Sequence, residues 1–578
     1  MKFNEILKEN KVLGESLKGP PYNVKILSNI ILSPIKDILE YSVRKNNITA
    51  QVGIGNYDNI MQESEKYSKS NLIIIFWELF NLIEGGQYKF DLMTDIQLNQ
   101  FIDKMKSEID LLFNHLKETP LVLINSFSTL IFNYQNPQIS KFELLENELN
   151  NYLNERMPNN FRKIEVDKIF AKISIKNSID FRYFYSSKSP YTVSFYKAYC
   201  EFITPIILST YGKSKKVLIL DCDNTLWKNI LGEEGLEGIE MSSHTRNGSI
   251  FNEVQSIALK LNKQGIVLGL CSKNNEYDVE SVFTHHRDMV LKENNISIKR
   301  INWDNKTSNL QSIANELNIG LDSMVYIDDS DFEIELINKY LPDLLTIKVP
   351  ENIFEYPKML RENSPLFIRL SESKEDLVKA KMYHQQSIRN ISRQHFSNTD
   401  EFLESLQLEL YIFIDDFSNV PRLSQLTLKT NQFNLTSNRY LENDIKLFLE
   451  KEDYRILSFE AIDKFGNYGI TGLCILSLDL NKQSAHIDSF LMSCRVIGRN
   501  FEFSFFDFII SDLKTTGIFR ITASYIKSQK NQQVEDFFEK LGFSIDSQNS
   551  NNKNYSINVN QYKQSKINYI SVQKKNII

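Results

Sequence analysis

The chain has 578 residues, 42% of them hydrophobic and 24% charged, and Lys+Arg 67 against Asp+Glu 73 leave a net charge of -6. This length exceeds what one hydrophobic core can organise, so about two to four globular domains are expected. The acidic balance argues against nucleic acid or an anionic membrane surface as partner, and no apolar run approaches the roughly 18 residues of a membrane span.

The start, Met1 to Asn10, is amphipathic and unlike a signal peptide, which predicts a cytoplasmic protein. Its cysteines, Cys200, Cys222, Cys271, Cys474 and Cys494, lack metal-ligand spacing and read as reduced, buried thiols.

Residues 1–20 read as an N-terminal helix ending at Gly19-Pro20-Pro21. Strands are predicted at Val24–Leu27, Leu72–Phe76 and Leu121–Ile124, with helices from about Pro34 to Lys45 and from about Asp95 to Leu116. Strand alternating with helix predicts a doubly wound α/β domain over residues 21–212. A serine at the end of the first strand, Ser28, resembles the nucleophile position of SGNH hydrolases, which use a late Asp-x-x-His as base. Here Asp180-Phe181-Arg182-Tyr183 has tyrosine where that histidine belongs, and His115, the single histidine before His244, sits in a mid-domain helix pattern. A hydroxyl without an imidazole is not activated. The domain is therefore expected to be a degenerate, non-hydrolytic binding or scaffold module.

A polar hinge, Gly212 to Lys216, leads to Val217-Leu218-Ile219-Leu220, a buried parallel strand that delivers Asp221-Cys222-Asp223-Asn224-Thr225 to its C-terminal end. Ligand sites of open α/β sheets lie at that edge. Two carboxylates one residue apart suit phosphoryl chemistry, with Asp221 as nucleophile and metal ligand and Asp223 as acid/base and metal ligand. A second strand at Ile266–Leu270 ends in Cys271-Ser272-Lys273-Asn274, where Ser272, Lys273 and Asn274 with Thr225 are candidate phosphate ligands. Lys306 can neutralise charge developing in transfer, and Met324–Ile327 delivers Asp328 and Asp329, a hard-oxygen pair suited to Mg2+. This set resembles the haloacid dehalogenase (HAD) phosphotransferases. About 40 residues separate the first two motifs, too few for a large cap domain, so the site is expected to be open to a bulky or protein-borne substrate. The HAD-like domain is assigned to 213–350.

From about Phe367 the pattern changes, and 351–578 is assigned to a third domain with a linker and a C-terminal tail. Strands at Gly472–Leu478 and His486–Leu491 lead into Ser493-Cys494-Arg495-Val496-Ile497-Gly498-Arg499-Asn500 and an apolar helix through Phe501–Leu513. Arg-x-x-Gly-x-Asn at a helix start resembles the pyrophosphate loop of GNAT acyltransferases, which holds coenzyme A phosphates on backbone N–H groups and the helix dipole. Arg495, Gly498, Arg499 and Asn500 are the candidate pantetheine or coenzyme A ligands, and an ordinary strand-turn-helix is the competing reading. A later strand at Ile518–Ser524 and a closing one at Tyr569–Val572 complete the outline.

Leu-Asp-Cys-Asp-Asn-Thr-Leu-Trp (220–227), Gly-Glu-Glu-Gly (232–235), Ile-Asn-Trp-Asp-Asn-Lys (301–306), Lys-Thr-Asn-Gln-Phe-Asn-Leu-Thr (429–436) and Ser-Cys-Arg-Val-Ile-Gly-Arg (493–499) together resemble the FkbH-like proteins, HAD subfamily IIIC members of polyketide and related pathways. Lys228-Asn229 departs from the glycine usual after the tryptophan. The resemblance implies three domains (SGNH-like α/β, capless HAD-like Rossmannoid α/β, GNAT-like α+β). It also implies an enzyme that takes the glyceryl unit of 1,3-bisphosphoglycerate, removes phosphate and loads glycerate on the phosphopantetheine of an acyl carrier protein. A stand-alone small-molecule phosphatase and a non-catalytic carrier-protein scaffold are the alternatives. Two thiols are candidates for a transient acyl group. Cys222 is preferred for its place between the catalytic carboxylates, although alternation along an extended backbone turns it away from them. The two arginines beside Cys494 favour a thiolate there instead.

Overall fold

The computed structural model describes residues 1–135, 137–368, 399–528 and 530–575. The chain divides into two compact units, Met1–Leu208 with Tyr440–Leu447, and Ser209–Arg439 with Phe448–Ile578. Among the described residues no helix is long and apolar enough to cross a membrane.

The first unit is built on a parallel sheet of β1 (Tyr22–Ser28), β2 (Ala50–Ile54), β3 (Leu72–Phe76), β4 (Leu121–Asn125) and β5 (Phe161–Ile164), in the order β2-β1-β3-β4-β5. This is a doubly wound order with its reversal beside β1. The central strands β3 and β4 are buried at every position, which is why they read as unbroken apolar runs. The outer strands β2 and β5 carry no such run. Ala50-Gln51-Val52-Gly53-Ile54 is half exposed and β5 has only four residues, so neither stands out by hydropathy.

The second unit holds two sheets. The first of them is parallel, with β6 (Val217–Leu220), β7 (Val267–Ser272), β8 (Ile296–Ile301), β9 (Met324–Asp328) and β10 (Leu345–Lys348) in the order β10-β9-β6-β7-β8. The order reverses at β6, so the crevice between β6 and β9 is the expected ligand position. Between β6 and β7 the chain makes only helices Leu231–Gly238 and Gly248–Lys263, with no room for a cap domain. The core of this sheet does not stop at residue 350: helix Tyr356–Asn363 and Phe367 bury Tyr356, Leu360 and Phe367 in the same apolar cluster as Leu218 and Leu220. That boundary is corrected to at least Phe367, and the linker beyond it (369–398), like residues 576–578 of the tail, lies outside the described residues. The hinge into β6 is held tightly, because Gly212 has φ 65 and a Cβ there would come within 1.7 Å of the Leu428 carbonyl oxygen.

The other sheet of this unit is mixed. It comprises β11 (Leu408–Ile414), β12 (Phe433–Asn434), β13 (Tyr454–Asp463), β14 (Gly466–Asp479), β15 (Ser484–Met492), β16 (Arg520–Ile526), β17 (Ser544–Gln548), β18 (Asn552–Asn558) and β19 (Ile570–Lys574). Its path is β17-β18-β16-β15-β14-β13-β11-β19, and β12 pairs with β15 off that path. Helix Phe501–Thr515 packs Phe501, Phe505, Phe506, Ile509 and Leu513 against it. The closing strand expected at Tyr569–Val572 is β19, parallel to β11.

Candidate active site at the C-terminal edge of the second sheet

Four buried apolar residues fix β6 inside its sheet, and the first residue beyond it is Asp221. Parallel register pairs Leu220 with Ile327, and the Asp221 amide donates to the Ile327 carbonyl at 3.0 Å, which sets Asp221 beside Asp328 at the end of β9. One carboxylate oxygen each from Asp221, Asp328 and Asp329 lie within 4.8 Å of one another. Lys306 opens helix Lys306–Glu316 and points its ammonium between two of them, 2.7 Å from Asp328 Oδ2 and 3.3 Å from Asp221 Oδ1. Asp221, Asp328 and Lys306 are all buried.

Burying two carboxylates and half-burying a third beside one ammonium leaves an excess of negative charge in a poorly solvated place. Burial pushes the Asp221 carboxyl up to about 7, with Lys306 opposing the rise and Asp328 adding to it. Burial alone lowers Lys306, but the attraction of Asp221 and Asp328 outweighs it and the net shift is upward. Asp329 is raised by burial and then by Asp328. Asp221 Oδ1 is buried and accepts no hydrogen bond. An orphaned carboxylate oxygen in a hard-oxygen cluster fits a small divalent cation such as Mg2+, with Asp221, Asp328 and Asp329 as the side chains that would hold it.

Asp223 is not in that cluster, and its expected place among the side-chain metal ligands is corrected. Its Oδ1 accepts from the Trp227 indole at 2.9 Å and the Leu231 amide at 3.0 Å, and its Oδ2 accepts from Asn274 Nδ2 at 2.9 Å. These donors draw the carboxylate sideways toward Asn274. Of the expected phosphate ligands, Thr225 is fully buried with a hydroxyl that meets no hydrogen-bond partner. Asn274 also donates to Ser272 Oγ at 3.3 Å, so Ser272 and Asn274 line the same edge. Lys273 departs from the expectation, because its ammonium is held 2.6 Å from the buried Glu333.

The stretch after Trp227 folds over as a short flap closed by the Lys228–Glu240 bridge. Asn229 adopts φ 75 there, accepts the role a glycine would otherwise have, and ties the flap through Nδ2 to the Gly238 carbonyl at 2.9 Å.

Several supporting residues escaped the sequence. Tyr326 donates to Asp328 Oδ2 at 2.5 Å, yet in the sequence it is one member of an apolar strand. Gln255 is fully buried, donates to the Leu226 carbonyl and accepts from the Val290 and Leu291 amides. A polar residue beside Phe251 and Val254 on a core-facing helix was the available signal.

The thiols separate clearly. Cys222 is fully buried in the apolar cluster, and burial, then Asp221, raise its thiol well above the ordinary range, with Ser272 hydrogen-bonding to it and opposing the rise. That environment holds it as a thiol, against the preference for it as acyl carrier. Cys494 is half-buried, and its carbonyl accepts from Asn318 Nδ2 at 2.8 Å. Asn318 precedes β9 whereas Asp328 ends it, so Cys494 lies at the opposite edge of the sheet, about 15 Å of strand away. Arg495 Nε donates to Ser493 Oγ at 3.2 Å. Gly498 has φ 81 with open space beside it, but the Arg499 guanidinium is buried 4.7 Å over the Tyr468 ring and Asn500 Nδ2 donates to the Tyr569 hydroxyl. The four loop residues therefore do not converge on one point.

In the first unit, Ser28 is buried and its hydroxyl accepts from the Ile30 amide at 2.9 Å. His115 pairs with Ser64 at 2.9 Å instead, and Asp180 holds Arg182. Beside Ser28, Asn29 braces Glu78, whose carboxyl burial pushes up to about 7 and which accepts from the Tyr191 hydroxyl at 2.8 Å.

No protein-family model and no curated protein matches the chain. Among solved structures it is similar to the N-terminal part of the protein BF1531 from Bacteroides fragilis, which contains a phosphatase domain and was crystallised with Mg. The identity is 25%, with TM-score 0.57 over 64% of this chain and 100% of that one. Shorter matches are the ribosomal-protein-S18-alanine N-acetyltransferase from Escherichia coli (12% identity, TM-score 0.21, 26% of this chain and 94% of that one) and the spermidine/spermine N-acetyltransferase SpeG from Vibrio cholerae (16%, TM-score 0.22, 27% and 96%). By fold, the chain is a multidomain α/β protein in which a parallel sheet, similar to a structure that contains a phosphatase domain, belongs to the unit that carries the acidic site, and a mixed sheet follows it.

Proposed function

We propose that the chain is a Mg2+-dependent HAD-type phosphatase/transferase that loads a glyceryl or related hydroxyacyl unit from 1,3-bisphosphoglycerate onto the phosphopantetheine thiol of an acyl carrier protein. The observation that carries it is the constellation of buried Asp221, Asp328 and Lys306 with half-buried Asp329 at a sheet edge that the β6–β7 connection leaves uncapped. The similarity to a phosphatase-containing structure crystallised with Mg supports the same chemistry.

A bound Mg2+ would supply charge neutralisation for a phosphoryl group at the three carboxylates. Asp221 attacks phosphorus through a carboxylate oxygen, and the bond from phosphorus to its leaving oxygen breaks as the new one forms. Asp223, held by Trp227 and Asn274, gives the leaving oxygen its proton and later takes one from the water that releases phosphate. Lys306 holds positive charge where the transferring group gains negative charge, and the buried Thr225 hydroxyl is free to donate to a phosphoryl oxygen. At the acyl phosphate, which Asp221 leaves intact while it acts on the phosphate ester, the carrier thiol gives up its proton and forms the C–S bond as the carbon–oxygen bond to phosphate breaks, and the phosphate leaves with that proton. With Cys222 buried and Cys494 at the opposite edge, the reading favours direct transfer to the carrier. The Ser28 domain serves in it as a non-hydrolytic binding module, and the cytoplasm is the expected compartment.

Incubation of the full chain with Mg2+, 1,3-bisphosphoglycerate and a phosphopantetheinylated carrier protein tests this by intact mass. A glyceryl adduct on the carrier is expected. Release of phosphate with no adduct on any cognate carrier defeats the transferase and leaves a small-molecule phosphatase, which the BF1531 likeness also favours.

A further inference from the structure

Three lysines follow the strands that build the carboxylate site, and each is placed differently. Lys306, beyond β8, reaches Asp221 and Asp328. Lys273, beyond β7, is held 2.6 Å from the carboxylate of buried Glu333. Lys228 stands on the flap beyond β6, half-buried, and among the described residues no carboxylate pairs with it. Glu233, Glu234 and Glu237 of the flap helix Leu231–Gly238 are exposed to solvent and leave its ammonium unpaired. That ammonium donates to Asn224 Oδ1 at 3.4 Å, and the Asn224 side chain hydrogen-bonds Asp329 of the cluster. One amide side chain thus stands between the Lys228 cation and the carboxylates.

The backbone that carries Lys228 is tied on both sides. Its amide donates to the Glu240 carbonyl at 2.9 Å, and the Glu240 amide donates back to the Lys228 carbonyl at 3.1 Å. The preceding Trp227 is fully buried with its indole on Asp223, and the following Asn229 donates its amide to Asn224 Oδ1 at 3.1 Å. Asn224 Oδ1 therefore accepts from the residue after Lys228 as well as from its ammonium, and the cation is kept at the rim of the site on the side of Asp329.

The charge balance of the site calls for such a group. Four carboxylates, Asp221, Asp223, Asp328 and Asp329, stand near one ammonium, Lys306. A bound Mg2+ would leave this set with about one net negative charge, and a phosphoryl group brings about two more. Lys306 serves the reacting phosphoryl group itself, whereas Lys228, one amide farther out, is placed for an anion elsewhere on the same ligand. We propose that Lys228 is a specificity-determining residue of this site: it takes a second anionic group, a carboxylate or a phosphate, borne by the phosphorylated substrate, and so selects such substrates over simple phosphate esters. The inference rests on the phosphoryl chemistry proposed above, where the second group is the acyl phosphate.

The test is calorimetric binding to the full chain with Asp221→Asn in Mg2+, which holds ligands without consuming them. Two probes, 3-phosphoglycerate and glycerol 3-phosphate, share a carbon chain and a phosphate and differ in a carboxylate against a hydroxymethyl group. The first should bind about tenfold more tightly. Adding Lys228→Gln should bring the two within about twofold by weakening 3-phosphoglycerate, and Lys228→Arg should retain the preference. A role exerted only through Asn224 and Asp329 would weaken both probes alike and keep their ratio, which would overturn the proposal, as would failure of either probe to bind. The same probes are then compared as inhibitors of phosphate release from 1,3-bisphosphoglycerate by the unsubstituted chain, where 3-phosphoglycerate should again be about tenfold more potent and equal potency would overturn the proposal whatever the variants do. A preference alongside an unloaded carrier protein keeps the role of Lys228 and defeats the transferase, and a loaded carrier alongside no preference does the reverse.

Discussion

Two crevices in the same compact unit are made by different devices and put to different uses. Between β6 and β9 the strand order reverses, and the sheet edge there is lined by Asp221, Asp328 and Asp329 with Lys306 across it. Between β15 and β16 parallel strands diverge after four paired positions, and the opening is occupied by residues 433–435 of the chain. In the first, main-chain groups are satisfied within the strands and side chains that repel one another are left to face a ligand. In the second, main chain satisfies main chain and Asn531 seals the join. A fold supplies crevices, and only the groups placed in them decide which one does chemistry.

The contrast can be broken at its acidic end first. Asp221→Asn keeps the shape of the side chain but replaces one carboxylate oxygen with an NH2 donor and removes the nucleophile, so Mg2+-dependent phosphate release should fall by about 10^4-fold or more with the circular dichroism spectrum unchanged. Turnover near the original rate would take the nucleophile's role away from Asp221.

At the closed crevice the effect should be on stability and not on phosphate release. Asn531 donates to the Asn434 and Ile526 carbonyls and accepts from the Ser528 amide and the Tyr525 hydroxyl. Asn531→Ala leaves several of these buried groups unpaired and should lower the unfolding free energy by about 2–3 kcal/mol in urea titration. A matching loss of phosphate release under native conditions would show that the two crevices are coupled.

The smallest effect sharpens the electrostatic side. The folded-state pKa of Asp221 is raised from 3.8 to about 7. In that window the native state binds a proton the unfolded chain has lost, so the stability contributed by Asp221 is present below the lower value and is lost as pH rises through the upper one. Without metal, the Tm of the native chain should therefore fall relative to Asp221→Asn as pH rises from about 4 to about 7, by a few degrees. Saturating Mg2+ should abolish that difference, since a cation takes the proton's place. A Tm difference that is flat in pH without metal would mean that Lys306 alone keeps Asp221 ionised.

Much of the acidic site was legible because it is built from local patterns. An apolar run of four ending in Asp-Cys-Asp, and another ending in Asp-Asp, say both that the strand is buried and what stands at its end. The edge strands β2 and β5 were not legible, since half exposure removes the continuous apolar signal, and neither was β12, whose two residues are a strand only because β15 diverges from β16. The HAD-like boundary was set too early for a related reason: Tyr356 and Leu360 look like any amphipathic helix until the core they complete is seen.

By itself the sequence determined which residues could do the chemistry: the order of the motifs, the shortness of the β6–β7 connection and the lack of an imidazole partner for Ser28 are all properties of spacing and residue type. The tertiary structure alone decided which of those residues meet. It put Asp223 on Trp227 and Asn274 instead of the carboxylate cluster, drew Lys273 to Glu333, buried Cys222, and set Cys494 at the other edge of the sheet. The reason is that a side chain's direction within its strand end is set by whichever hydrogen-bond partners neighbouring elements bring to it, and those partners come from 4 to 60 residues away in the chain.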